Sequence, residues 1–141
     1  MALRDGTRGA LRGADLSRID LGGIDLRDAD MEEAVLRGTN LEYARLDGAI
    51  LALADLRGAN LYGASLVEAD LQFSDLSDAV LVLADLCGAN MQRAYLARAH
   101  CAHSCLAWAH LNEAVHGATL NGACMFEVRG RLLGHPASNA I

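Results

Sequence analysis

Lysine is absent: all 12 basic residues are arginine, and 18 acidic residues leave a formal charge of −6. An acidic excess excludes a binder that grips nucleic-acid phosphates. No apolar run approaches ~18 residues, so nothing here is expected to span a membrane. Met1 through Asp15 contain no apolar segment of signal-peptide type, and the cytoplasm is the expected compartment. There the four cysteines are expected to be reduced. Aromatic residues make up only 4% of the 141 positions, far too few for an ordinary mixed core. Yet 52% of the chain is hydrophobic, which excludes a disordered polymer. The apolar content is leucine and alanine, and so uniform a supply suggests a repeated unit.

That unit has five residues. Leucines at 11, 16, 21, 26, 36, 41, 46, 51, 56, 61, 66, 71, 76, 81, 86, 96, 106 and 111 share one register. Met31, Met91 and Cys101 fill the skipped places. Two residues before each stands a small residue, usually alanine, with Ser74 and Ser104 as polar variants and Ile19 and Ile24 as larger exceptions. Asp or Asn often lies between, as at Asp15, Asp20, Asn40, Asp55, Asn60, Asp70, Asp75 and Asn90. The unit Ala-(Asp/Asn)-Leu-x-x runs 21 times from Gly9 to Glu113.

A period of five rejects the regular elements. On a helix it advances each leucine by about 140° net and leaves no apolar stripe. On a straight strand it sends consecutive leucines to opposite faces. Ala and Leu two apart can share the inner side of a short extended segment, with Asp pointing out. The next two residues must then turn the chain, and Gly is frequent at the second of them (Gly13, Gly23, Gly38, Gly48, Gly58, Gly63, Gly88). A chain that turns the same way every five residues closes into a stacked coil.

This pattern resembles the pentapeptide-repeat family, from Gly9 to Met125. The resemblance implies a right-handed parallel β-helix of square cross-section, with four pentapeptides per coil and about six coils. On this reading residues 1–8 are a lead-in, 9–125 the β-helix and 126–141 a cap and loose tail. Leu51, Leu56, Leu61, Leu66, Leu71 and Leu76 point inward. The pattern slips once, after Ala114, where a one-residue deletion is expected around His116–Gly117.

Chemistry is scarce. The repeat aspartates are outward, turn-compatible carboxylates, and a filled rod offers no pocket in which one is tuned for acid–base work. His100, Cys101, His103, Cys105, His110, His116 and Cys124 crowd the C-terminal third, but their spacing matches no known zinc pattern. The expectation is no enzyme activity, no metal and no cofactor. Counting through the deletion stacks Cys105 beneath Cys124, within reach of a disulfide, although a reducing compartment argues against the bond.

Partner surfaces are the remaining signal. Leu53 and Phe73 adjoin Ile50 and Ala52 along one edge, and Tyr43, Tyr62, Val80, Val82 and Leu83 gather opposite. Trp108, the sole tryptophan, stands outward as an interface anchor. Between Ala59 and Gln92 there is no basic residue, while Glu68, Asp70, Asp75, Asp78 and Asp85 add five negative charges. The first expectation is a protein-interaction module with an unidentified partner, and a homodimer through the C-terminal end is a further option. The resemblance supplies an alternative: some members of the family bind DNA gyrase or topoisomerase IV as double-helix mimics and alter quinolone or toxin sensitivity.

Overall fold

Each five-residue unit meets most of its backbone hydrogen-bonding needs through its neighbours in the stack, as the unit Ala54–Gly58 illustrates. The Ala54 N–H donates to the Leu51 carbonyl, 3.1 Å, closing the turn. Asp55 N–H reaches back to Ala34 of the preceding coil, 2.9 Å. Leu56 and Gly58 N–H reach forward to Asp75 and Ser77 of the next, 2.8 and 2.9 Å. One donor is left over, the N–H of the first turn residue. The Asp/Asn side chain accepts it: Gln72 from Asp70 at 3.1 Å, Ser77 from Asp75 at 3.0 Å, Tyr62 from Asn60 at 3.2 Å. This is the Asx turn, and it explains why these two residue types recur there. Where Ser65 replaces the Asx residue, Asp47 of the preceding coil accepts the Val67 N–H instead, 3.2 Å.

The computed structural model describes residues 11–114 and 117–130. They form a right-handed parallel β-helix of square cross-section. We number its coils 1 to 6: residues 11–30, 31–50, 51–70, 71–90, 91–110 and 111–130. Outward residues pair in parallel at intervals of 20, from Asp15 with Val35 to Asn90 with His110. Side 1 carries Asp15, Val35, Asp55, Asp75 and Tyr95; side 2 carries Asp20, Asn40, Asn60, Val80, His100 and Thr119. Side 3 carries Asp25, Arg45, Ser65, Asp85, Cys105 and Cys124; side 4 carries Asp30, Ile50, Asp70, Asn90, His110 and Arg129.

Coil 6 is out of step. His100 pairs with Thr119, Cys105 with Cys124 and His110 with Arg129, each an interval of 19. The missing residue inferred from the sequence is therefore real in the register. Val115 and His116, beside the point where the sequence places the deletion, lie outside the described residues. So do residues 1–10 and 131–141, which hold the expected lead-in and most of the expected cap. The turn-and-bridge pattern itself continues through Phe126 and Glu127 to Arg129.

The interior is one stack of leucines against alanines. Leu51, Leu56, Leu61, Leu66, Leu71 and Leu76 are wholly buried, as are Ala49, Ala59 and Ala69. Thr39, Ser74 and Ser104 fit the small slot because their hydroxyls donate to nearby carbonyls, of Leu16, Leu71 and Cys101, at 2.6, 2.7 and 2.8 Å. Ile19 and Ile24, too large for that slot mid-rod, sit in coil 1, where Ile19 stays exposed.

Candidate interaction surface

The second turn residue of every unit adopts positive φ, at intervals of five from Gly13 to Glu113. A turn closed by an i to i+3 bond with positive φ only at its third residue is type II, a geometry made for glycine. Many of these positions are not glycine. Tyr43, Leu53, Phe73, Leu83 and Trp108 hold φ between 55° and 61° and are all exposed. A bulky residue in this region carries about 1 kcal/mol or more of backbone cost.

These residues form the four corners of the rod. Corner 1, between sides 1 and 2, carries Gly58, Asp78 and Arg98. Corner 2, between sides 2 and 3, carries Tyr43, Gly63, Leu83 and His103. Corner 3 carries Glu68, Gly88 and Trp108, and corner 4, between sides 4 and 1, carries Leu53, Phe73, Arg93 and Glu113.

Corner side chains lean toward the following coil. The Tyr43 ring lies over Gly63, where a methyl group would fall 2.5 Å from the ring. Tyr43 meets Tyr62 edge to face, centroids 5.6 Å apart, and Trp108 meets Phe126 in the same way at 5.5 Å. On corner 4 the Arg93 guanidinium stands over the Phe73 ring at 5.6 Å and pairs with Glu113 at 2.6 Å. Leu53 and Phe73 are thus consecutive members of a column that ends in an ion pair, with half-exposed Ile50 beside them on side 4. Tyr62 and Leu83 belong to the opposite corner with Val80 and Val82. Trp108 stands apart from both groups on corner 3.

The five mid-rod acids are not brought together. Glu68 is on corner 3, Asp70 on side 4, Asp75 on side 1, Asp78 on corner 1 and Asp85 on side 3. Arg98, from beyond the lysine-free and arginine-free stretch, forks onto Asp78 with two bonds of 2.6 Å and holds its carboxyl below the usual carboxylate range. Arg57, from before it, comes within 3.7 Å of Asp75. The expected acidic middle is therefore divided among three sides and two corners and partly neutralised. Its sequence signal fails because ion pairs here join residues 18 to 20 apart, across coils.

In the N-terminal half, ion pairs two residues apart within a unit join those that cross coils. Asp55 accepts from Arg57 at 2.8 and 2.7 Å and from Arg37 of the previous coil. The Arg57 bonds hold its carboxyl down to about 2, with Arg37 adding to the effect. Arg27 does the same for Asp25, at 2.8 and 2.7 Å, again to about 2. A catalytic acid needs the opposite displacement.

The cysteines depart from expectation. Cys105 and Cys124 do stack as bridge partners, but the disulfide joins Cys105 to Cys87, with 5.8 Å between Cα atoms. Stacked residues on a parallel ladder keep their Cβ atoms near the ~4.8 Å strand spacing, longer than a disulfide favours. Cys87, a first turn residue, leans diagonally onto the outward residue 18 positions on, as Arg37 does onto Asp55. The reduced state expected for all four thiols thus holds only for Cys101 and Cys124. Cys101 fills a leucine slot, and burial pushes its thiol up to about 12. His100, His103 and His110 fall on side 2, corner 2 and side 4, and do not converge on Cys105.

Comparison with known proteins agrees with the repeat. The family model for pentapeptide repeats matches in 8 copies, over residues 14–51, 34–72, 52–81, 64–100 and 74–112. Among solved structures, the pentapeptide-repeat protein Rfr23 of the cyanobacterium Cyanothece 51142 is 26% identical, over 81% of this chain and 82% of that one, with a TM-score of 0.46. HetL of Nostoc sp. strain PCC 7120, a pentapeptide-repeat protein involved in heterocyst differentiation regulation, is 32% identical over 84% of this chain and 70% of that one, TM-score 0.41. QnrB1, a plasmid-mediated fluoroquinolone resistance protein, is 17% identical over 86% and 68%, TM-score 0.41. No curated protein matches the chain. Among the described residues no helix is long and apolar enough to cross a membrane.

Proposed function

From the premise that this chain belongs to the pentapeptide-repeat family, we propose that it is a rigid, non-catalytic interaction module, read by a protein partner along corner 4. One observation carries this reading: Leu53 and Phe73, on consecutive coils, are both exposed and both held at positive φ. Phe73 recovers part of its backbone cost through the Arg93 contact, but both side chains keep about half their surface in water, and an apolar pair left exposed at positions suited to glycine points to use by a partner. Ile50 and Ala52 widen the apolar strip, and Arg93 with Glu113 bounds it, an apolar centre with a polar rim.

No cofactor enters this reading. The repeat carboxylates serve as acceptors for backbone N–H groups or arginines, so none is left to act as a tuned acid. The double-helix mimic remains the alternative. The scatter of Glu68, Asp70, Asp75, Asp78 and Asp85 around the rod weighs against it, because a nucleic-acid saddle needs a continuous negative strip.

The test separates binding from folding. Phe73→Gly relieves the corner and should leave the melting temperature unchanged or slightly higher. A photo-crosslinker at Ala52 should capture a partner in the parent cells, and Leu53→Asn with Phe73→Gly should abolish the adduct. Asn60→Asp on side 2 should not affect it. An adduct indifferent to corner 4 defeats the proposal. Inhibition of gyrase supercoiling, or its relief from a quinolone, would favour the alternative. An adduct of twice the chain mass would identify the partner as a second copy.

A further inference from the structure

Asp85, Cys87 and Cys105 place a carboxylate oxygen and two sulfurs within 4.8 Å of one another, a group of ligand atoms lying where side 3 meets corner 3. The backbone fixes all three. Cys87 N–H donates to Asp85 Oδ1 at 3.0 Å, locking the carboxylate beside the turn. Asp85 and Cys105 are bridge partners, held in register by Leu86 N–H donating to the Cys105 carbonyl at 2.8 Å and Cys105 N–H to that of Ala84 at 2.9 Å. The diagonal lean of a first turn residue onto the next coil supplies the third member.

We propose that this group is a redox-gated zinc site: as two thiolates and a carboxylate it binds Zn2+, and as a Cys87–Cys105 disulfide it does not. Two sulfurs and one carboxylate oxygen suit a borderline-soft, tetrahedral cation, with a water as fourth ligand. A pair of Cα atoms 5.8 Å apart on a rigid ladder serves either state, since zinc-bound sulfurs need only move a little apart from their bonded position. The chemistry balances with a phosphine as reductant. The phosphine becomes its oxide with the oxygen of one water, that water's two hydrogens go to the sulfurs, and the disulfide becomes two thiols. Zn2+ then displaces both thiol protons. The other thiols stand outside the site. Cys101 is buried and its proton is held by desolvation, and exposed Cys124 is stacked one coil beyond Cys105.

Asp85→Asn is the decisive variant. Asn40, Asn60 and Asn90 already accept the same turn N–H in other units, so the change keeps the fold and removes only the anionic ligand. Zn2+ uptake is read by competition with a chromophoric chelator, on the full chain, before and after phosphine reduction. One Zn2+ per chain is expected after reduction and none before. Cys87→Ser should abolish uptake, and Asp85→Asn should weaken it by about tenfold or more. Cys124→Ser and Cys101→Ser should bind as the parent does. Co2+ in place of Zn2+ should give thiolate charge-transfer absorption that Cys87→Ser lacks. Equal uptake by the oxidised chain, no uptake by the reduced chain, or uptake that survives Cys87→Ser overturns the proposal. So does loss of uptake in Cys124→Ser. A circular dichroism melt of each variant separates ligand loss from unfolding.

Discussion

Coil 4 and coil 6 are built from the same unit and differ in how well it is buried. In coil 4, Leu71, Leu76, Leu81 and Leu86 are fully shielded, because coils 3 and 5 cover them on both faces. In coil 6, Leu111 and Ala114 are still buried, but Ala118, Leu120, Ala123, Met125 and Val128 are only partly buried against the core. The backbone bonds of coil 6 to coil 5 are no weaker: Thr119, Cys124 and Arg129 N–H groups each donate at 2.8 Å. Coil 6 thus keeps its ladder bonds while burying less of its apolar surface, and in a stack whose stability is summed over neighbour interfaces that burial is the term that differs.

The largest test of that contrast is a pair of cavities. Leu71→Ala should cost about 2–5 kcal/mol in urea unfolding, and Leu120→Ala about 1 kcal/mol. Equal costs would break the comparison. Next comes the bond that ties coil 4 to coil 5. Reducing Cys87–Cys105, which spans 18 residues, should lower stability by about 3 kcal/mol in the loop-entropy picture. Hydrogen exchange should show the loss in coils 4 and 5, with coil 6 already exchanging faster.

Acid adds a third test. Asp25 and Asp55 have carboxyl groups held at about 2 in the folded chain, against about 3.9 when unfolded. Their contribution is fully present above about pH 4 and is lost as the pH falls toward 2. Arg57→Gln should flatten that acid limb in a pH series of melts, at constant salt. The smallest effect is expected at Ser74, whose hydroxyl only supplements the N–H bond it already makes to Leu71. Ser74→Ala should change stability by no more than about 0.5 kcal/mol, since alanine is the usual tenant of the slot.

The interior was legible in the sequence because leucine and alanine alternate with a period that no helix or straight strand can satisfy. The lost residue after Ala114 was legible too, as a slip in that period. The outer surface was harder to read. Columns built by adding 20, with one residue taken off for the deletion, correctly stack Cys105 under Cys124, yet they miss the diagonal that joins Cys87 to Cys105 and Arg37 to Asp55. That diagonal arises because a first turn residue lies beside the next side, a displacement visible only once the corner has a shape. Arg98 lies 20 residues from Asp78 in the same corner column, so part of a stretch that reads as uncompensated acid along the chain is answered from a coil away. The positive φ of Tyr43, Leu53, Phe73, Leu83 and Trp108 was foreshadowed by the glycines that share their place in the unit.

The Asx turn has a consequence for how such a rod can change. Asn40, Asn60 and Asn90 hold their turn N–H groups at 3.2, 3.2 and 3.3 Å, and Asp70, Asp75 and Asp85 at 3.1, 3.0 and 3.0 Å. The architecture asks for a side-chain oxygen and is indifferent to whether it is ionised. Each such position can therefore exchange Asp for Asn, shifting the electrical character of one chosen spot while every leucine, turn and ladder bond stays in place. Surface potential in this molecule is a free variable, written in single units onto a frame that does not depend on it.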